Sequence, residues 1–227
     1  MTGTVGSESL AVLMEADRRR FIAQYTVSRE TLLDLETYVN LLKKWQAAIN
    51  LVGPATIQEI WTRHILDSIQ VVDLAPNATR WVDLGSGAGL PGAVISIALK
   101  NRPGASVFLI ESNGKKAGFL QHVVQATAAP AKVLSGRIED LLPRLHGIDI
   151  ITARALAPLS KLLDWSEPLL KSGAACLFHK GRDLDKELMD AARYWDLEYD
   201  AIPSVVASRS WILRIRTARR LSDGEQR

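Results

Sequence analysis

The chain has 227 residues, 47% hydrophobic and 23% charged, a balance that excludes a disordered or fibrous protein and allows one sizeable core with at most a small appendage. Lys and Arg number 28 against 25 Asp and Glu, so the net charge of +3 permits an anionic partner without diagnosing one. The single Cys176 excludes an internal disulfide and any multi-cysteine metal site; it suits a reducing compartment, and cytoplasm is the expected location.

No apolar run approaches the roughly 18 residues of a membrane span. In MTGTVGSESLAVLMEADRRR the arginines follow the apolar patch, unlike a secretory leader, and residues 1–27 read as a loosely held tail or short helix. From Ser28, Leu32, Leu35, Val39, Leu42, Trp45 and Ile49 recur at helical spacing, until Gly53 and Pro54 stop the pattern. Thr56 with Glu59 has capping-box spacing, and IQEIWTRHILDSIQVV continues as a second helix. Within it, Arg63 and Asp67 stand four apart, the spacing of an ion pair on one helical face, as do His64 and Ser68.

The texture changes at Arg80. Short apolar runs at 81–84, 106–111, 131–135, 148–153 and 174–180 alternate with helix-length segments, the rhythm of a parallel sheet covered on both faces. A helical stretch near 183–194 precedes two more strand candidates, LEYDAI and SWILRIRTA. The second alternates Leu213 and Ile215 with Arg214 and Arg216, which suits one wet face near an antiparallel edge. The expected organisation is a tail and helical cap over 1–79, an α/β domain over 80–220 and a short tail over 221–227.

WVDLGSGAGLPG places Gly85, Gly87 and Gly89 directly after a buried strand, where glycine permits a sharp turn and close backbone approach to a ligand. The helix opening near Pro91 aims N–H groups at the same place, which suits an anionic group. DxGxGxG over 83–89 suggests an S-adenosylmethionine site, whereas Gly87, Gly89 and Gly92 also spell the dinucleotide pattern GxGxxG. The first frame uses every glycine from the strand end to Gly89 and is preferred. Glu111 closes the second strand, where a carboxylate commonly meets ribose hydroxyls, and Ile138 with Glu139 in SGRIED is placed to flank an adenine.

The motifs NLVGP, RHILDS, VDLGSGAGLPG, ESNGKKAGFL, GRIED, ARALA and HKG, in this order across residues 50–181, resemble the bacterial small-subunit rRNA (guanine-N7) methyltransferases called RsmG or GidB. The resemblance implies a Rossmann-like class I methyltransferase fold, S-adenosylmethionine as donor, and methylation of one guanine of 16S rRNA near the decoding centre. It implies cofactor contacts at Gly85, Leu90, Ile138, Glu139 and Arg154. His179 before the Lys-Gly pair, and Glu111 where an Asp is also common, depart from the pattern.

Guanine N7 carries a lone pair and no proton, so the expected task is to hold an in-line geometry without a general base. TARALAP lacks the Asn/Asp-Pro-Pro-aromatic signature of exocyclic-amine methylation, and Cys176 among apolar residues reads as core. Arg154, at the end of the fourth strand, suits a cofactor or positioning role; Arg63, His64 and Lys180 are further positioning candidates, Lys180 also for an RNA phosphate. Lys115, Lys116, Arg209, Arg214 and Arg216, with Arg219 and Arg220 in the same basic run, are the candidates for RNA phosphate. No metal and no membrane partner are expected. The rival readings are a nicotinamide-dependent oxidoreductase and a non-catalytic ribosome assembly factor with a vestigial pocket.

Overall fold

The computed structural model describes residues 4–222. Two long helices lead, α1 (Thr4–Gln24) and α2 (Arg29–Gln46), the latter begun by Ser28, whose Oγ accepts from the Thr31 N–H at 3.1 Å. A 3₁₀ turn (Pro54–Glu59), a π-helical turn (Ile60–Ile65) and α3 (Leu66–Asp73) follow. The α/β part then runs β1 (Arg80–Leu84), α4 (Gly92–Ala98), β2 (Ser106–Glu111), α5 (Gly114–Thr127), β3 (Ala131–Ser135), α6 (Ile138–Leu141), β4 (Ile150–Arg154), α7 (Leu159–Lys171), β5 (Ala175–Lys180), α8 (Leu184–Ala191), β6 (Trp195–Pro203) and β7 (Trp211–Arg220).

The sheet order is β3-β2-β1-β4-β5-β7-β6, parallel from β3 to β5 and antiparallel at β7 and β6. Alternation of side chains sorts the core into two layers. Trp81, Ile150 and Leu177 point to the face covered by α1 to α5, joining Phe21, Leu35 and Leu120. Val82, Leu84, Ile151 and Phe178 point to the face under α6, α7 and α8, joining Leu163 and Leu184. Each large side chain so buried contributes about 1.5–3 kcal/mol.

Two expectations change. Residues 4–24 form a full helix with Met14, Asp17 and Phe21 buried, not a loose tail. The segment after Gly53 is not one α-helix capped by Thr56, because the Thr56 hydroxyl donates to Gly53 O at 2.9 Å and the turn is 3₁₀. Beyond it Asp17 of α1 supplies the acceptors: its carboxylate takes the Trp61 N–H at 2.8 Å, the Thr62 N–H at 3.3 Å and the Thr62 hydroxyl at 2.6 Å. The chain there opens into a wide π turn. SWILRIRTA lies near the antiparallel edge as expected: it forms β7, next to the edge strand β6, with Leu213 and Ile215 fully buried.

Candidate functional site

The parallel strands β1, β2, β4 and β5 end on one rim of the sheet, where doubly wound folds collect ligands. After Leu84 the chain turns through Gly85 and Gly87, at φ +62° and +54°, a left-handed region that disfavours side chains. At Gly85 a Cβ would lie 2.5 Å from Leu156 Cδ1, so the loop after β4 packs directly on it. At Gly87 a Cβ would meet only Gly85 O, at 3.7 Å, so this glycine borders open space. Here a ligand can approach bare backbone.

The loop is pinned from three directions. Glu111, buried at the end of β2, accepts from the Gly87 N–H at 2.8 Å through one oxygen and from the Asn113 N–H at 2.7 Å through the other. Tyr38 of α2, fully buried, donates its hydroxyl to Ala88 O at 2.7 Å. Asp83 accepts from the Thr152 hydroxyl at 2.8 Å and from the Gly92 N–H at 3.2 Å, and burial raises its carboxyl to about 6. Asp83 therefore staples β1 to β4 and to the start of α4.

Beside this loop a second cluster forms around Arg154 at the end of β4. Its Nε lies 3.4 Å from Asp67 Oδ2, and its Nη2 donates to His64 Nδ1 at 2.8 Å. His64 Nε2 pairs with Thr56 Oγ1 at 2.9 Å. The bonds are mutually consistent only if the imidazole is neutral, accepting at Nδ1 and donating from Nε2. Asp67 also accepts from Gln70 Nε2 and from the Ser204 hydroxyl, each at 2.9 Å, and its carbonyl accepts from His179 Nε2 at 2.8 Å. Arg154 Nη1 is buried without a hydrogen-bond partner.

Burial first, then the charges of Arg154 and Arg63, hold the His64 pKa down at about 4 from 6.5. The unfolded chain therefore binds a proton that the folded one refuses, and stability is lost as pH falls from 6.5 to about 4. Asp83 acts in the opposite sense, since the folded form takes up its proton between about 6 and 3.8. The difference in unfolding free energy between wild type and His64→Asn isolates the histidine. By denaturant titration it is expected to be greatest above pH 6.5 and to shrink towards pH 4; a pH-independent difference would contradict the neutral imidazole.

The remaining residues singled out from sequence divide clearly. Leu90 is half-buried and Ile138 buried, both against the core, while Glu139 is exposed in the first turn of α6 with its carboxyl held down by the backbone N–H there. Arg63 does not pair with Asp67; it lies 3.5 Å from Glu59, and Asp67 belongs to Arg154. Lys180 is buried, 2.6 Å from Glu187 and 3.3 Å from Ala157 O, so it has no free ammonium for phosphate in this structure. Arg214 pairs with Asp200 at 2.7 Å, and Arg216 with Asp200 and with Glu198, the latter at 2.7 Å. Lys115 and Lys116 open α5, exposed and half-exposed, while Arg209 is exposed in the β6–β7 loop beside Ser210, which lines the cleft next to Arg154. Cys176 is wholly buried, and burial pushes its thiol up. Sequence reasoning missed Asp17, Tyr38 and Thr56, which reach the site from the helices before β1.

A family model described as rRNA small subunit methyltransferase G (GidB) matches residues 31–211. The chain belongs to the GidB family. It is 50% identical over 201 residues to the ribosomal RNA small subunit methyltransferase G of Methylobacterium nodulans, covering 88% of this chain and 95% of the relative. The protein of the same name from Bradyrhizobium sp. ORS 278 is 46% identical over 210 residues, covering 92% and 95%. The fold resembles an O-methyltransferase structure from Klebsiella pneumoniae (TM-score 0.57, 11% identity, 89% and 96% covered) and the cofactor-bound Rv0187 from MTB (0.55, 14%, 81% and 89%). Membership of GidB makes the chain a methyltransferase and decides against the nicotinamide frame. Among the described residues no helix is long and apolar enough to cross a membrane.

Proposed function

We propose that this GidB protein transfers a methyl group from S-adenosylmethionine to N7 of a guanine in 16S rRNA near the decoding centre. The observation that carries the reading is the bare backbone of Gly87, held open by Glu111 beside the unsatisfied Arg154 Nη1, in a chain about half identical to small-subunit rRNA methyltransferases. Gly85, Gly87, Gly89 and Leu90 would cradle the donor, Glu111 would accept from the ribose through its remaining lone pairs, and Ile138 with Glu139 would flank the adenine. Arg154 would hold the donor's carboxylate or align the reacting partners, and a buried guanidinium with one free nitrogen fits such an anion. That fit rests on a vacant donor and a cradle a Cβ would fill, which are features of this chain.

Bound S-adenosylmethionine supplies a methyl carbon on a positive sulfur, so the N7 lone pair forms the new C–N bond while the C–S pair leaves with sulfur. N7 has no proton to remove. The histidine nearest Arg154 is accordingly engaged at both nitrogens, at 2.8 and 2.9 Å, and acts as a support for the guanidinium. The protein's contribution is orientation, which by itself can lower a barrier by roughly 7–11 kcal/mol. Incubation of the protein with labelled S-adenosylmethionine and separate ribosomal subunits is expected to label only the small subunit. Reductive strand scission at the cationic 7-methylguanine then maps the position; label in the large subunit, or at an exocyclic amine, would contradict the reading.

A further inference from the structure

A cleft of about 500 Å³ opens next to Arg154, on the side of the sheet rim away from Glu111. That volume is in the range of sites that enclose a small organic ligand. Arg154 and Asp67, with side chains 19% and 11% exposed, mark its inner end. Its outer walls differ in chemistry. One carries Arg20 of α1 and Arg63 of the π turn, 59% and 55% exposed; the other carries Val205, 67% exposed, and Val206 from the β6–β7 loop.

Both walls are fixed from within. Asp17 ties α1 to the π turn through Trp61 and Thr62, which sets Arg20 and Arg63 on the same edge. The Ser204 hydroxyl on Asp67 and the Val205 N–H on Gln70 Oε1, at 2.9 and 3.1 Å, anchor the apolar wall to α3. Each guanidinium has an acid partner: Asp17, wholly buried, lies 3.1 Å from Arg20, Glu59 lies 3.5 Å from Arg63, and Asp67 is committed to Arg154, Gln70 and Ser204. Arg20 and Arg63 nevertheless keep more than half of their side chains exposed, so their remaining N–H donors edge the cleft. A cationic edge opposite an apolar one matches a nucleotide, whose phosphate and flat base need those two surfaces.

We propose that this cleft receives the acceptor nucleotide of the RNA, its phosphate against Arg20 and Arg63 and its base against Val205 and Val206. The inference rests on the methyl-transfer reading above and places the acceptor opposite the ribose side of the donor.

The test measures methyl transfer to small subunits at several salt concentrations by the full chain carrying R20A/R63A, R20K/R63K or V205D. Arg193→Ala, on α8's end of the molecule and paired with Asp190, is the control. Donor affinity by calorimetry and thermal unfolding are read on the same samples. R20A/R63A is expected to raise KM for the subunit about tenfold and to flatten the log–log salt slope by about one, with kcat and donor affinity unchanged. R20K/R63K restores most of the loss, V205D raises KM at an exposed position that folding tolerates, and Arg193→Ala changes nothing. Unchanged KM and salt slope in both R20A/R63A and V205D, in folded donor-binding protein, would overturn the proposal. If wild type binds the donor yet methylates no subunit, the underlying reading fails. The cleft is then judged by filter binding of the same RNA, where equal affinity of wild type and R20A/R63A refutes it.

Discussion

Gly87→Ala is expected to weaken S-adenosylmethionine binding about tenfold or more while leaving a folded protein, because its Cβ points where the donor backbone contact is proposed. The left-handed φ of +54° costs an alanine about 1 kcal/mol, and no protein atom but Gly85 O, at 3.7 Å, lies near the new methyl. Gly92→Ala supplies the contrast. Its Cβ would sit 2.5 Å from Leu109 Cδ2 and 2.6 Å from the Asp83 side chain, so it should lose about 1–3 kcal/mol of stability through overpacking. Calorimetric titration beside thermal unfolding separates the two. Equal donor affinity in wild type and Gly87→Ala would remove the glycine turn from the binding site.

Arg154→Met keeps most of the side-chain length and removes the charge. Asp67 retains Gln70 and Ser204, but His64 Nδ1 loses its donor, and a stability loss of about 1–3 kcal/mol follows. Methyl transfer should fall further, by about 100-fold in kcat/KM, because the Nη1 donor and the alignment proposed for it are both lost. Steady-state kinetics below the unfolding transition measures this. Activity within a few-fold of wild type would reduce Arg154 to a structural ion pair with Asp67.

The rim of the sheet was legible because its parts are local. Each parallel strand is an apolar run closed by Gly, Pro or a polar residue, and the glycine turn, Glu111 and Arg154 all stand at strand ends. The elements before β1 were harder to read because what shapes them is distant in sequence. In α1, Met14 and Phe21 are buried while Val12, Leu13 and Ile22 are exposed, so no clean apolar stripe announces the helix. The π turn depends on a carboxylate from α1 and not on its own residues. Lys180 and Arg63 were misplaced for related reasons. A lysine at a strand end looks solvated until Glu187 folds back over it, and Arg63 pairs with Glu59, four residues before it, while Asp67, four residues after it, is engaged by Arg154, Gln70 and Ser204.

The reach of Asp17 across 44 residues makes the first helix a buttress for the turn that carries His64. A chain shortened past that carboxylate would keep all seven strands yet leave three donors in the bend unanswered, and the histidine three positions beyond Trp61 would lose its aim. The placement of His64, and of the Arg154 guanidinium bonded to it, is thereby coupled to the docking of the leading segment.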